Sequence, residues 1–243
     1  SADLVGTWTC LQEGYAEALI IKADGSALST GYDGEEFWEN VAGNVVVENG
    51  KIVLTFEDGD NWKGHFDIVP GVAFSIFTDK GDFLTFNYCK EDLSDEVVGM
   101  WVCTQTNLPE TNMTIQTYQE DGKSIFTGFS PNSDSFMTNL ESTYKVVGDL
   151  MFQKTGDMYF VTRLAYVPNG TSFGDILNTT ATIWVNDAYV TSSYSFLRVK
   201  EGLNLTGNLY AYSSAYVTNA KGTDEEFSML GGTFNMANIT NAN

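Results

Sequence analysis

Few side chains in this chain are of types that do chemistry. His65 is the only histidine, and the cysteines are Cys10, Cys89 and Cys103, no two of them in Cys-x-x-Cys spacing. A structural zinc site needs four closely spaced Cys or His ligands, so none is expected. His65 carries its charge change nearest neutral pH and is the natural candidate for a general base. It sits in Lys63-Gly64-His65-Phe66-Asp67 and alternates with Trp62, Gly64 and Phe66, which places it on the outer face of a strand. No Ser-His-Asp or Cys-His arrangement is specified, and the second half of the chain has no histidine. Carboxylates are abundant, but most stand in turns, where Asp-Gly answers a need of the backbone. Asp58-Gly59-Asp60-Asn61 and Asp79-Lys80-Gly81-Asp82 offer oxygens to calcium, yet neither follows the EF-hand spacing. No catalytic residue, metal ligand or cofactor is assigned.

The elements that would position such residues are organised by a repeat. Leu4-Val5-Gly6-Thr7-Trp8-Thr9-Cys10 returns as Val97-Val98-Gly99-Met100-Trp101-Val102-Cys103. Both copies read apolar-apolar-Gly-x-Trp-x-Cys, and repetition of this kind predicts two copies of one structural unit. In the first copy, short alternating segments are separated by turn signals. Trp8 to Gln12, Ala18 to Lys22, Ala27 to Gly31, Glu36 to Val41, Asn44 to Glu48, Lys51 to Glu57, Trp62 to Val69, Val72 to Thr78 and Phe83 to Lys90 read as strands. Asp24-Gly25 and Asn49-Gly50 are hairpin dipeptides. These nine short segments in some ninety residues, with no helical period, predict an antiparallel up-and-down barrel of about eight strands.

The second copy follows the same plan. Its Glu120-Asp121-Gly122 matches the first hairpin, and Ser195-Phe196-Leu197-Arg198-Val199-Lys200 stands where Thr85-Phe86-Asn87-Tyr88-Cys89-Lys90 stood. Two segments, Ser130 to Ser142 and Pro168 to Thr180, read as long inserted loops. The predicted organisation is all-β: barrel one over residues 1–93, barrel two over 94–203, and a C-terminal extension over 204–243. That extension opens on Leu205-Thr206-Gly207, a degenerate echo of the repeat. Strand parity argues against a Cys10–Cys89 disulfide. Cys10 shares the inward face of Trp8, whereas Leu84, Phe86 and Tyr88 turn inward and leave Cys89 outside. Three free thiols are expected.

Composition limits the partners. The formal net charge is −20, from 32 acidic and 12 basic residues, so the chain lacks the basic surface that nucleic acid requires. A hydrophobic content of 43% is that of a globular protein. No apolar run approaches the length of about twenty residues that a spanning helix needs. The chain opens at Ser1-Ala2-Asp3 without Met, and the expectation is a processed export signal with a lipid anchor upstream.

Gly6-Thr7-Trp8 and Gly99-Met100-Trp101, on the first strand of a β-rich unit, resemble the Gly-x-Trp signature of the lipocalin and calycin superfamily. The similarity is greatest to small bacterial extracytoplasmic lipocalin-like domains, often parts of lipoproteins. The resemblance implies that Trp8 and Trp101 each close one end of a barrel under a basic residue from the chain end after the last strand, Lys90 in the first copy and Arg198, or Lys200 beside it, in the second. The chain departs from classical lipocalins in unit length, in lacking a clear helix after the barrel and in lacking the usual disulfide.

The function read from the sequence is a non-catalytic extracytoplasmic binding protein. If either barrel binds a small apolar ligand, the second is expected to, with Phe129, Phe136, Tyr166, Phe173 and Trp184 lining the site beneath a lid that the two inserted segments would form if they lie at one mouth. The other reading of these segments is that their apolar residues pin them to the barrel wall or to the tail. A cell-surface adhesion module with filled barrels is the alternative, and a hydrolase working through surface carboxylates is a third.

Overall fold

Alternating apolar residues punctuated by Gly and Asn turns fold this chain into two closed barrels, each of eight antiparallel strands. The computed structural model describes residues 2–12, 14–105, 112–130, 135–171, 174–185 and 188–199. After a 3-10 turn at Ala2–Leu4, the first barrel runs through β1 (Gly6–Gln12), β2 (Tyr15–Ile21), β3 (Ser26–Tyr32), β4 (Phe37–Glu48), β5 (Lys51–Phe56), β6 (Asn61–Val69), β7 (Ala73–Thr78) and β8 (Phe83–Cys89). The second runs through β9 (Gly99–Gln105), β10 (Asn112–Tyr118), β11 (Lys123–Ser130), β12 (Ser135–Val147), β13 (Leu150–Thr155), β14 (Met158–Thr171), β15 (Gly174–Val185) and β16 (Ala188–Arg198). The extension 204–243 lies outside the described residues. Among the described residues no helix is long and apolar enough to cross a membrane.

The repeat holds to the level of register. Trp8 pairs with Tyr88 where β1 closes onto β8, and Trp101 pairs with Arg198 where β9 closes onto β16. Both indoles are fully buried, and each donates Nε1–H to the carbonyl four residues earlier, Leu4 or Val97, at 2.8 Å. Arg198 lies over Trp101 with its guanidinium carbon 4.3 Å from the ring centroid, and it also donates to the carbonyls of Val98 and Glu96. Such a contact contributes about 0.5–2 kcal/mol. In the first barrel the expectation needs correcting. Lys90 is exposed, and Tyr88 meets Trp8 edge-on at 5.0 Å. The glycine of the motif follows from this lid. Gly6 and Gly99 have φ of 140° and 128°, and a Cβ on Gly6 would lie 2.5 Å from the Tyr88 ring.

Two sequence readings change for a common reason. Glu36–Val41 and Asn44–Glu48 are one strand, β4, bent where Asn40 takes φ 52° and the pairing slips between Ser29 and Gly31. The second barrel bends at the equivalent place, with Asn139 at φ 52° and a slip between Phe126 and Gly128. The segments expected as inserted loops are largely strand: the first continues β11 and β12, and the second continues β14 and β15, with Asn169 at φ 52° in a further slip. A β-bulge absorbs the extra residue and breaks the alternation by which a strand is recognised.

The barrels pack on each other through faces that a lone barrel would turn to water. Ala16 and Ala18 of β2 and Tyr32 of β3 meet Val147, Leu150, Phe152 and Val161 of the second barrel. Tyr159 stacks on Tyr32 at 5.0 Å and on Phe37 at 5.3 Å. At one edge Asp149 binds Arg163 at 2.6 Å and accepts from Thr9 Oγ1 at 2.7 Å, while Arg163 also donates to that hydroxyl at 3.2 Å. Arg163→Ala is expected to cost about 1–2 kcal/mol. In a double-mutant cycle with Thr9→Val the two losses should couple by at least about 0.5 kcal/mol. Strictly additive melting data would show that the junction is not one network.

Cys10 and Cys89 are free, the first buried in the barrel and the second on the outer side, as parity predicted. Burial pushes the Cys10 thiol up to about 12. The side chain of Cys103 lies outside the described residues.

Candidate functional site

The first barrel is filled at one end and hollow at the other. Around Trp8 its interior holds Leu19, Ile52, Phe74, Ile76 and Phe86, and Phe74 stacks on Phe86 at 4.8 Å. Toward the opposite end, where β1–β2, β3–β4, β5–β6 and β7–β8 turn, the inward side chains stop meeting and leave a cavity of about 580 Å³. The volume is in the range of small-molecule sites.

Each wall residue is placed by alternation along its strand. In β2, Tyr15 and Glu17 share the inward face of Leu19 and Ile21. Glu17 is therefore carried into the barrel at 1% exposure. Tyr15 donates its hydroxyl to Glu17 Oε2 at 2.6 Å, and Ser29 of β3 donates to Oε1. Ser29 in turn accepts from the Trp38 indole at 2.7 Å. Trp38 is admitted because Gly31 has no side chain: a Cβ there would fall inside the indole. Tyr15 lies 6.1 Å from Trp38 and 5.6 Å from Trp62 between ring centroids, so three aromatic rings line the cavity that Glu17 enters. Gln12 closes this wall, accepting from Thr85 N at 2.8 Å and donating to the Phe83 carbonyl at 3.0 Å.

Electrostatics make Glu17 the unusual group. Burial raises its carboxyl to about 7, the hydrogen bonds from Ser29 and Tyr15 oppose that rise, and Asp60 adds to it. Tyr15 is itself held well above its ordinary value by burial and by Glu17. Among the described residues no lysine or arginine forms an ion pair with Glu17. The mouth is acidic: Asp33, Glu36, Asp58, Asp60, Asp79 and Asp82 line it with Lys63 and Lys80, and Asp79 is paired with Lys51 at 2.7 Å. The two acidic turns considered for calcium are thus brought to one rim. Among the described residues no three His, Cys, Asp or Glu side chains are grouped to hold a metal ion.

Of the residues expected to line a site in barrel two, only the side chain of Tyr166 is among the described residues. Tyr166 is half-buried near the end closed by Trp101, its hydroxyl donating to Asp175 at 2.9 Å and its ring 5.9 Å from Arg198. The backbone pairs Phe129 with Phe136 at the far end of β11 and β12, and Trp184 with Tyr189 near the β15–β16 turn. The side chains of Phe129, Phe136 and Trp184 lie outside the described residues, as does Phe173 altogether. The shared lid is corrected by topology. The β11–β12 and β14–β15 turns fall at opposite ends of an antiparallel barrel, so the two segments cannot cover one mouth. His65 is exposed on the outer face, as alternation required.

Sequence reasoning passed over Tyr15, Glu17, Ser29, Trp38 and Trp62. The available signal was parity: an acid in register with Leu19 and Ile21 must point inward. In the second barrel the register that sets Glu17 opposite Cys10 sets Thr114 opposite Cys103, so a carboxylate stands only in the first copy.

No family model matches the chain, and no curated protein matches it either. Among solved structures it is similar to a protein of unknown function from the DUF3598 family of Nostoc punctiforme, at 10% identity and a TM-score of 0.25, covering 82% of this chain and 97% of that one. It is also similar to a porin-like protein from Bacteroides uniformis, at 9% identity and a TM-score of 0.17, covering 79% and 94%. At these scores neither likeness carries an argument about fold or function.

Proposed function

We propose that the chain is a non-catalytic, small-molecule-binding protein of lipocalin-like type, acting outside the cytoplasm, with its ligand in the first barrel. The observation that carries the reading is the open cavity ending on the Glu17–Tyr15–Ser29 cluster. A barrel that serves only as a scaffold or an adhesion surface gains nothing by burying a carboxyl group under an unfilled end, since that burial costs stability. The Trp-closed end under Arg198 supports the lipocalin-like assignment, and the exported location rests on the same resemblance. An apolar ligand in the second barrel, the expectation from sequence, gives way here to a ligand with a polar head in the first.

The acid–base properties of Glu17 invite an enzymatic reading, because a carboxyl group poised near 7 is suited to proton transfer. Binding is favoured over it because both carboxyl oxygens are held by hydroxyls, and because the nearby Cys10 thiol stays protonated and is a poor nucleophile.

Native mass spectrometry of the protein from its own source tests the proposal. A non-covalent adduct is expected, and it should be lost in Val41→Trp, which fills the cavity from the β4 wall. A folded parent without any adduct, or an adduct retained by a folded Val41→Trp variant, would count against it.

A further inference from the structure

We infer that the first barrel is a receptor for a small organic ammonium ion, with the N–H group on Glu17, the cation against Tyr15, Trp38 and Trp62, and an apolar tail toward Val41 and Leu84. This deepens the proposed function and rests on it. Three independent features converge on the same charge. The cavity floor carries a buried carboxyl group with no cationic partner among the described residues. Each of its oxygens accepts one hydroxyl hydrogen bond and keeps a lone pair for a further donor. Tyr15 and Ser29 are thus spent on orienting Glu17, and what the site lacks is a positive hydrogen-bond donor.

The aromatic rings supply the second feature. A ring face attracts a cation by about 0.5–2 kcal/mol, and more strongly where water is excluded. Tyr15 lies 6.1 Å from Trp38 and 5.6 Å from Trp62, and all three rings line the same cavity as Glu17, so a cation bound there has aromatic surface in the same chamber. The rim is the third. Six carboxylates, Asp79 among them already paired with Lys51, against Lys63 and Lys80 make a funnel that raises the local concentration of cations and repels anions. A hydrated metal ion would use the rim but has no use for the rings, and a neutral ligand would leave Glu17 either protonated or with its charge unpaired.

Proton linkage follows. The groups that face Glu17 are Cys10 from β1, Tyr15 from β2, Ser29 from β3 and Asp60 from the β5–β6 turn, with Lys63 of β6 lining the same cavity. Cys10 and Tyr15 are both held above their ordinary values and stay protonated near neutrality. Glu17, poised at about 7, is the group that changes. An ammonium ion binds the ionised form, so its apparent affinity scales with that fraction and should rise about tenfold from pH 6 to pH 8.

Isothermal titration calorimetry on the full chain with three isosteres decides the matter: 2-phenylethylammonium, 2-phenylethanol and phenylacetate, with calcium chloride as a separate arm. The ammonium ion should bind at one site, at least about tenfold more tightly than the alcohol at pH 8. That preference should shrink toward pH 6 and disappear in Glu17→Gln, and Trp38→Leu should weaken ammonium binding without abolishing its pH dependence. Equal affinity for ammonium and alcohol, a preference that survives in Glu17→Gln, binding of calcium in place of the ammonium ion, or no binding of the ammonium ion at all would each overturn the inference. If phenylacetate or the alcohol binds and Val41→Trp blocks it, the cavity remains a ligand site and only its cationic preference fails.

Discussion

Trp8→Ala should lower the thermal midpoint by roughly 6–20 °C, the largest drop expected from any single substitution in the first barrel. The size follows from burial. The indole is fully inaccessible, touches Phe74 and Tyr88 edge-on at 4.8 and 5.0 Å, and satisfies its N–H on the Leu4 carbonyl. Truncating a buried Trp costs about 3–5 kcal/mol through lost transfer energy and the cavity left behind. In a chain of this size each kcal/mol moves the midpoint by about 2–4 °C. The cost should sit near the upper end, because the Leu4 carbonyl loses its donor and Tyr88 loses the surface it lies on. Trp101→Ala should cost a similar amount, since Val97 and Arg198 occupy the same places around it. Differential scanning calorimetry checks both, and a Trp8→Ala protein melting within a degree or two of the parent would contradict the assignment of this residue as the plug of the barrel.

The parts of the fold legible in the sequence are those governed by local rules. The duplicated Gly-x-Trp motif placed Trp8 and Trp101 at equivalent positions, and hairpin dipeptides such as Asn49-Gly50 marked strand ends, because these depend on residues adjacent in sequence. Bulges were not legible. Asn40 and Asn139 break the alternation, so one continuous strand read as two in the first copy and as an inserted loop in the second. The barrel–barrel contact was equally hidden. Its sign in the sequence is that β2 is buried on both faces, Ala16 and Ala18 outward and Leu19 and Ile21 inward. Without a known partner for the outer face, such a run cannot be told from an apolar strand with poor alternation. The candidate site falls between these cases. Parity sends Glu17 inward, but whether an inward acid meets a cation, a hydroxyl or a void depends on strands far away in sequence, and Trp38 reaches it only through the gap left by Gly31.

Glu17→Gln should make the protein more stable at pH 8 and leave it nearly unchanged at pH 4. In the folded chain the carboxyl group titrates at about 7 against an ordinary value of 4.5, chiefly because burial disfavours its charge. Between those two values the native state holds a proton that the unfolded state has released. Stability therefore declines as pH rises across that window, and the full loss is present above about 7. At 1.36 kcal/mol per pH unit the difference amounts to roughly 3 kcal/mol. A glutamine keeps the shape and removes the charge. Its oxygen can still accept from Ser29, and its amide can donate to the Tyr15 hydroxyl, which turns from donor to acceptor. Neither hydroxyl is then orphaned, so most of the gain should survive, as a rise of roughly 5–10 °C in the midpoint at pH 8. The quantity to follow is the difference in unfolding free energy between variant and parent from pH 4 to pH 8, because the other carboxylates titrate alike in both proteins and cancel. It should grow with pH and level off above about 7. A difference that stays flat, or a variant less stable than the parent at pH 8, would mean that Glu17 is already paired with a positive charge in the folded protein, and the cavity would then have no unmet charge to offer a ligand.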